Sequence, residues 1–141
     1  MWDPWGEAGQ SWPHIDIVWW LELPRGIRGL VSGSTIWLCR TLLQAERRAV
    51  LAHELEHLRR GLAGAPYRAR EERTVDMLAA RRLITLPDLV DGLRVHRDDP
   101  AQLADHLWVD GPTLSTRMAT LDQIEVAELE NALADEWLWI P

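Results

Sequence analysis

The chain has no lysine and no phenylalanine. Each of the fifteen cationic residues among its 141 residues is therefore an arginine. Tryptophan supplies nine aromatic side chains and tyrosine only one. Arginine and tryptophan must consequently fill roles that other proteins share with lysine and phenylalanine. The apolar fraction of 47% is normal for one globular domain with a buried core.

Cysteine, long apolar runs and N-terminal cations are also scarce. Cys39 is the only cysteine, which excludes an internal disulfide and favours a reducing compartment. The sequence contains no apolar run near the roughly 20 residues that a membrane-spanning helix needs. It begins Met1-Trp2-Asp3-Pro4-Trp5, without the cations and apolar run of a signal peptide. We therefore expect a cytoplasmic protein with no membrane partner.

Positive charge is almost missing from the C-terminal third. From residue 100 onward there are eight acidic residues and a single cation, Arg117, so this segment has the whole net charge of −7. An acidic surface repels phosphate backbones, and we expect no nucleic-acid partner. DNA binding through residues 101–121 would need more cations than Arg117 alone.

Hydrophobic periodicity predicts the α+β class, with a small N-terminal sheet packed on a helix and a mostly helical C-terminal half. We expect one domain over residues 1–141: an irregular lead-in at 1–14, the sheet and two helices at 15–86, and a helical extension at 87–141. Strands are predicted at residues 15–23, 30–31 and 35–39, the last two joined as a hairpin. Helices are predicted at residues 44–60, 68–84, 87–95, 101–107, 113–121 and 123–138, with a loop at 61–66.

The first long helix contains His53-Glu54-Leu55-Glu56-His57. Histidines four residues apart lie on one helix face, so both imidazoles can reach one metal ion at about 2.0–2.1 Å. Glu54 points beside the metal, where it can take a proton from a water molecule and pass it to a leaving amine. The pattern predicts a Zn²⁺ site with His53 and His57 as ligands and Glu54 as general base. The alternative is two core histidines on an amphipathic helix.

A catalytic zinc site needs a third protein ligand and an open position. Metzincins have a histidine where this chain has Ala63 and a glycine where it has Arg60, so that class is excluded. The next predicted helix offers Glu72 and Asp76, four residues apart on one face. We expect Glu72 to bind the metal and Asp76 to accept a hydrogen bond from a metal-binding imidazole. The alternative is that Glu71 and Glu72 lie at a solvent-exposed start of this helix, flanked by arginines, and bind no metal.

Over residues 28–86 the chain resembles the ImmA/IrrE family of metallopeptidases, a gluzincin-like group frequent in phages, mobile elements and bacterial stress regulators. The matching segments are the apolar residues 36–38, the motif helix, and Glu72…Asp76 followed by Ala-Ala-Arg-Arg-Leu-Ile. Val75 and Leu78 depart from the alanine and the aromatic residue typical of the family. The resemblance implies a zinc endopeptidase that cleaves a regulatory protein at a specific site, often a helix-turn-helix repressor.

A weaker resemblance, over residues 103–118, is to the helix-turn-helix-like stretch that commonly follows this peptidase core. The alternative function is a non-catalytic adapter that contains a metal and binds a repressor or toxin. Glu54 favours the enzyme, because a structural metal site has no need of a neighbouring base.

Three finer expectations concern substrate and partner contacts. An extended substrate would pair with residues 35–39 as an exposed sheet edge. Tyr67 and His96 are candidates for stabilising an oxyanion, although each is more often explained as a surface or packing residue. The last predicted helix has an apolar stripe that would pack on the domain or dock a partner. The stripe consists of Ile124, Ala127, Leu129 and Leu133.

Overall fold

A computed structural model of the chain describes residues 1–20, 23, 26–61 and 67–134. Over these residues the protein is α+β and mostly helical, with a three-stranded sheet near the N-terminus. The strands are β1 (Asp16–Trp20), β2 (Gly29–Ser32) and β3 (Thr35–Cys39). The helices are α1 (Pro4–Ser11), α2 (Gln44–Arg60), α3 (Arg68–Leu83), α4 (Leu86–His96), α5 (Pro100–Leu107), α6 (Gly111–Ala119) and α7 (Gln123–Ala132). None of these helices is long and apolar enough to cross a membrane.

Helix α1 occupies the segment for which an irregular lead-in was predicted, so that prediction is wrong. The Asp3 carboxylate accepts a hydrogen bond from the backbone N–H of Trp5 at 3.0 Å, and a proline follows at the first helical position. An acidic cap followed by proline is a strong helix start signal even in a short segment. An ion pair between Glu7 and Arg59 then joins α1 to α2.

The sheet has the strand order β1–β3–β2. Strand β3 pairs with β1 in parallel and with β2 in antiparallel orientation, and Gly33, with φ of 59°, lies in the turn that joins β2 to β3. The predicted hairpin is therefore confirmed. Ile36 and Leu38 of β3 are fully buried in a cluster with Leu51 and Leu55 of α2, which fixes the sheet on that helix.

The central place of β3 overturns one prediction. Its two sides already pair with β1 and β2, so residues 35–39 offer no free backbone groups to a substrate. The exposed-edge prediction failed because hydrophobicity does not specify which strand lies in the middle of a sheet. Strand β2 is instead an edge strand of the sheet. It lines a groove together with helix α2, which contains His53 and His57.

Helices α2 and α3 have the predicted bounds to within one residue. Gly61 ends α2 with φ of 78° and ψ of 173°. This positive-φ, extended conformation is essentially confined to glycine, which explains why α2 ends at this residue. The predicted loop at residues 62–66, and residues 21 and 22 of the first predicted strand, lie outside the described residues.

Helices α3 to α7 form a second core around the C-terminal half of α3. The buried Arg48 of α2 ties this core to the N-terminal segment. Its guanidinium donates to the carbonyl oxygens of Trp108 at 3.0 Å and Trp2 at 2.8 Å. A further hydrogen bond, to the carbonyl oxygen of Leu83 at 3.5 Å, brings the acceptors to three separate parts of the chain, so Arg48 acts as an internal brace.

The stripe predicted for the last helix is partly wrong. Ile124 is 71% exposed and Ala127 is also exposed, whereas Leu129 and Leu133 are buried as expected. Glu125, which was not part of the predicted stripe, is buried on the same face of α7 as Leu129. Residues 135–138, which were predicted to extend this helix, lie outside the described residues.

Glu125 is buried because it neutralises Arg117. The Arg117 guanidinium forms an ion pair with Glu125, and its Nε donates to the carbonyl oxygen of Ile84 at 2.8 Å. Arg117 is only 2% exposed. The single cation of the C-terminal third therefore joins α6 to α7 and to the end of α3, and it is not available to a DNA backbone.

Candidate metal centre

His53 and His57 lie on the face of α2 that meets α3, and Glu72 reaches them from the first half of α3. The two imidazole Nε2 atoms are 3.1 Å apart. One carboxylate oxygen of Glu72 is 3.0 Å from His53 Nε2 and the other is 2.9 Å from His57 Nε2. The structure thus brings together the three residues predicted as ligands, with all their ligand atoms within 4.8 Å of one another.

This arrangement fits a zinc ion. Tetrahedral zinc with bonds of about 2.0–2.1 Å places neighbouring ligand atoms about 3.3 Å apart, close to the separations found here. Two imidazoles and one carboxylate are also a ligand set used by catalytic zinc, which keeps the fourth position open. A cation at the centre of the three side chains would satisfy nitrogen lone pairs that otherwise face each other.

Asp76 lies one turn after Glu72 on α3, and its Oδ1 is 2.8 Å from His53 Nδ1. With the Nδ1 proton donated to this carboxylate, neutral His53 presents an Nε2 lone pair toward the site. Burial opposes a charge on the ring, but the hydrogen bond to Asp76 and the nearby carboxylates outweigh it and raise the pKa of His53. Asp76 thus orients the ring and increases its basicity.

Glu54 lies between the histidines and strand β2. Its side chain is buried, and this burial raises its pKa to about 7, an effect that nearby His53 opposes and Glu72 reinforces. A carboxyl group with a pKa near neutrality can both accept and return a proton. A cation bound at the histidines would favour its ionised form.

Gly29 of β2 makes this placement possible. A methyl group on Gly29 would lie 2.5 Å from Val50 Cγ1 and 3.2 Å from Glu54 Oε1. The backbone of β2 therefore lies directly against α2 beside the Glu54 carboxylate. Sequence reasoning missed this residue because the predicted strand began at residue 30, one position after it.

The metal-ligand cluster opens into a groove of about 490 Å³. One wall is residues 26–31, which include β2, and another is the start of α6, with Pro112, Thr113 and Thr116. An ion pair connects the two walls. The carboxylate of Asp110, at the N-terminus of α6, is 3.2 Å from the guanidinium of Arg28 in the first wall. Sequence reasoning did not predict that α6 would line the groove, because no local pattern specifies this long-range contact.

The remaining candidate residues lie elsewhere. Glu71 forms its ion pair with Arg60, whereas Glu72 contacts both histidines. Tyr67 is 63% exposed, and the ring of His96 packs on that of His106 with centroids 5.2 Å apart. Neither Tyr67 nor His96 is among the described residues that line the groove, so its geometry supports neither as an oxyanion stabiliser.

The second glutamate of the motif has a structural role. Glu56 is 2% exposed and forms ion pairs with Arg59 of α2 and Arg82 of α3. These pairs hold the two helices that supply the candidate ligands against each other. Glu56 and Glu54 thus lie in the same motif but face different surroundings.

Comparisons of the chain with protein-family models, curated proteins and solved structures found no match. The resemblance to the ImmA/IrrE family therefore stays a prediction from the motifs. The functional interpretation depends on the geometry of this chain: three converging ligands, a buried carboxyl group beside them, and an open groove.

Proposed function

We propose that the chain is a zinc-dependent endopeptidase of the ImmA/IrrE type that cleaves a regulatory protein, with a helix-turn-helix repressor as the proposed substrate. The observation that carries this proposal is the convergence of His53, His57 and Glu72 with Glu54 buried beside them. A structural zinc site is normally closed by a fourth protein ligand. Among the described residues the cluster has three, and it faces an open groove.

A zinc ion in this site would polarise the scissile carbonyl group and lower the pKa of a water molecule in the open position. Glu54 would accept the proton from that water and return it to the leaving amine, which agrees with its raised pKa and its position at the groove. Asp76 would keep His53 in the ligand tautomer. Each step uses a side chain that already faces the site.

Strand β2 is the proposed docking edge for an extended substrate. One side of β2 pairs with β3, and no described strand pairs with its other side. The strand lines the groove, and Gly29 brings its backbone next to Glu54. Backbone hydrogen bonds to β2 would hold a peptide in an extended conformation. Selectivity would come from the surfaces that contact alternate side chains of that peptide.

The test is a cleavage assay with Glu54→Gln. The chain would be co-expressed with the repressor encoded nearest to it, and a discrete shortened product would be sought by mass spectrometry. We expect zinc content and target binding to persist and cleavage to fall by about 10²–10⁴-fold, the usual contribution of a general base. The matched control is Glu71→Gln, because Glu71 pairs with Arg60 outside the site.

Cleavage by Glu54→Gln at the parental rate would contradict the proposed mechanism. Binding of the repressor without cleavage by either protein would instead support the adapter function.

A further inference from the structure

A second cavity, of about 420 Å³, lies beside the first turns of α2. Three tryptophans from separate parts of the chain line it: Trp2 before α1, Trp5 in the first turn of α1, and Trp108 after α5. We call it the tryptophan cavity. No described residue lines both this cavity and the groove of the candidate metal centre. Its volume suits a small organic molecule, since ligand cavities in proteins measure about 300–1,000 Å³.

Trp108 reaches this cavity from a strained backbone position. It follows α5 with φ of 60° and ψ of 42°, the left-handed conformation that helix ends normally give to glycine. Among the described residues it is the only non-glycine residue with positive φ. Its side chain is nevertheless 48% exposed, so burial in a core does not account for an indole here. An accessible aromatic ring held in a strained position points to a binding contact.

Hydrogen bonds hold the walls of the tryptophan cavity in place. The buried guanidinium of Arg48 donates to the carbonyl oxygens of both Trp2 and Trp108. The indole N–H of Trp2 donates to Glu7 at 2.6 Å, and Trp2 and Trp5 pack against the core between the sheet and α2. A preformed cavity needs little ordering when it binds a ligand, which favours affinity.

The cationic part of the lining consists of Arg47 and Arg48. Arg47 donates to the carbonyl oxygens of Leu42 at 2.9 Å and Arg40 at 3.2 Å, and Arg48 likewise donates to backbone carbonyl oxygens. Such bonds orient a guanidinium group but leave it with its full charge. In the part of the chain that the structure describes, neither arginine has a carboxylate within ion-pair distance.

The acidic part of the lining is smaller. Asp3 is the only carboxylate among the described residues that line the cavity, and it caps α1 by accepting the N–H of Trp5 at 3.0 Å. Burial lowers the pKa of Arg48, an effect that the charges of Asp3 and Asp88 oppose. Two guanidinium groups thus share the lining with one carboxylate that is already engaged. This balance of charge favours an anionic ligand.

We propose that the tryptophan cavity binds a planar aromatic carboxylate of one or two rings, with its ring stacked on Trp108 and its carboxylate bound by Arg47. Aromatic rings stack favourably on indole, and a guanidinium group forms charge-assisted hydrogen bonds with a carboxylate. The site is separate from the proposed peptidase centre and needs no metal ion.

Three probes separate the contribution of the ring from that of the charge: indole-3-acetate, indole-3-acetamide and acetate. Their dissociation constants would be measured by isothermal titration calorimetry on the full chain. We expect indole-3-acetate to bind about 10-fold more tightly than indole-3-acetamide, which has the same shape without the charge. Acetate, which has the charge without the ring, should show no saturable binding.

Variants of Trp108 test the stacking contact without damage to the fold. Trp108→Gly removes the ring and gives the left-handed position its preferred residue, and Trp108→Asn also suits this conformation. Each should weaken the binding of indole-3-acetate by about 10- to 100-fold, the usual contribution of a stacked ring. The matched control is Trp20→Ala, because Trp20 is 52% exposed and does not line the cavity. Circular dichroism would accompany each titration.

Variants of arginine test the recognition of charge. Arg47→Gln should abolish the preference for indole-3-acetate over indole-3-acetamide and leave the affinity for the amide unchanged. Arg40→Gln is the control, since Arg40 is exposed and does not line the cavity. All affinities should be the same with and without added zinc.

The outcomes distinguish this site from the metal centre. Equal affinity for indole-3-acetate and indole-3-acetamide would overturn the proposal, as would unchanged binding in both Trp108 variants. Lack of saturable binding of either indole compound would also overturn it and would leave the metal centre unaffected. Self-association of the protein that both Trp108 variants abolish would show that a second copy fills the cavity, which contradicts the proposal.

Discussion

The two candidate imidazole ligands come from one turn of α2, whereas the carboxylate comes from α3. This division makes the identity of the acidic ligand depend on which side of α3 faces α2. Glu72 contacts both imidazoles, and the neighbouring Glu71 points to Arg60. Adjacent glutamates with different partners provide a matched pair for mutation.

We predict that Glu72→Gln weakens zinc binding strongly and that Glu71→Gln leaves it unchanged. His53→Ala or His57→Ala should remove most of the metal, because each change deletes one of three ligands. Asp76→Asn should have an intermediate effect, about 10- to 100-fold in affinity, since Asp76 acts through His53. Metal titration of the purified proteins measures all five. A larger loss from the Glu71 change than from the Glu72 change would show that the assigned ligand is wrong.

At the scale of elements, β2 and α2 approach each other closely at Gly29. Only a glycine at position 29 allows this approach, because any side chain would overlap Val50. The strand therefore lies against the helix with the Glu54 carboxylate at its side. Overpacking at such a contact typically costs about 1–3 kcal/mol and displaces the backbone.

We predict that Gly29→Ala lowers the free energy of unfolding by about 1–3 kcal/mol and reduces cleavage while zinc stays bound. Val50→Ala creates space at the contact, so the double variant Gly29→Ala/Val50→Ala should regain cleavage relative to Gly29→Ala alone. Urea unfolding of the four proteins gives the coupling between the two sites. Strictly additive effects on stability and cleavage would show that the contact does not position β2.

A second link between elements is the ion pair of Arg117 in α6 and Glu125 in α7. The hydrogen bond from Arg117 lowers the pKa of Glu125 to about 2, against the opposing effect of burial. Arg117 Nη1 is buried without a hydrogen-bond partner among the described residues. The Glu125 carboxylate is therefore the main compensation for a buried cation.

We predict acid-sensitive stability from this pair. Because folding lowers the Glu125 pKa from about 4.5, its contribution is fully present above that pH and is lost as pH falls toward about 2. Glu125→Gln should cost about 3–5 kcal/mol at neutral pH, since it leaves the buried arginine uncompensated. Urea unfolding between pH 2 and pH 7 should show a shallower pH dependence in the variant. Identical pH profiles would contradict the lowered pKa.

At the scale of the whole molecule, the net negative charge is concentrated in the C-terminal third. The only cation after residue 100 is buried between α6 and α7, so the described surface of α5 to α7 has acidic residues and no exposed arginine. Residues 103–118 resemble a helix-turn-helix-like stretch, but α6 lines the groove of the candidate metal centre.

We predict no shift of duplex DNA by micromolar protein at moderate salt. Phosphate contacts supply most non-specific affinity, and they require exposed cations. Electrophoretic mobility at two salt concentrations is the measurement, with a basic DNA-binding protein as the positive control. Tight binding that weakens steeply with salt would contradict this prediction and would point to arginines before residue 100 as the phosphate contacts.

The sequence by itself determined the features that depend on neighbours along the chain. Two histidines at i and i+4 share a helix face in any context, and Glu72 and Asp76 do so for the same reason. The bounds of α2 and α3 followed from local periodicity and from stop signals such as Gly61. Helix α1 was missed despite a local signal, the acidic cap before a proline, because its short segment shows no period.

Only the tertiary structure decided which segments meet. The apolar pattern of residues 35–39 does not reveal that β3 is central, because a second pairing partner can come from anywhere in the chain. The predicted apolar stripe of α7 leaves Glu125 out, yet a cation on another helix makes the burial of this carboxylate favourable. The contact of Thr113 and Thr116 with the groove likewise depends on the packing of α6 against α3. Periodicity identifies the face that is buried, whereas the partner of that face is set by the free energy of the whole fold.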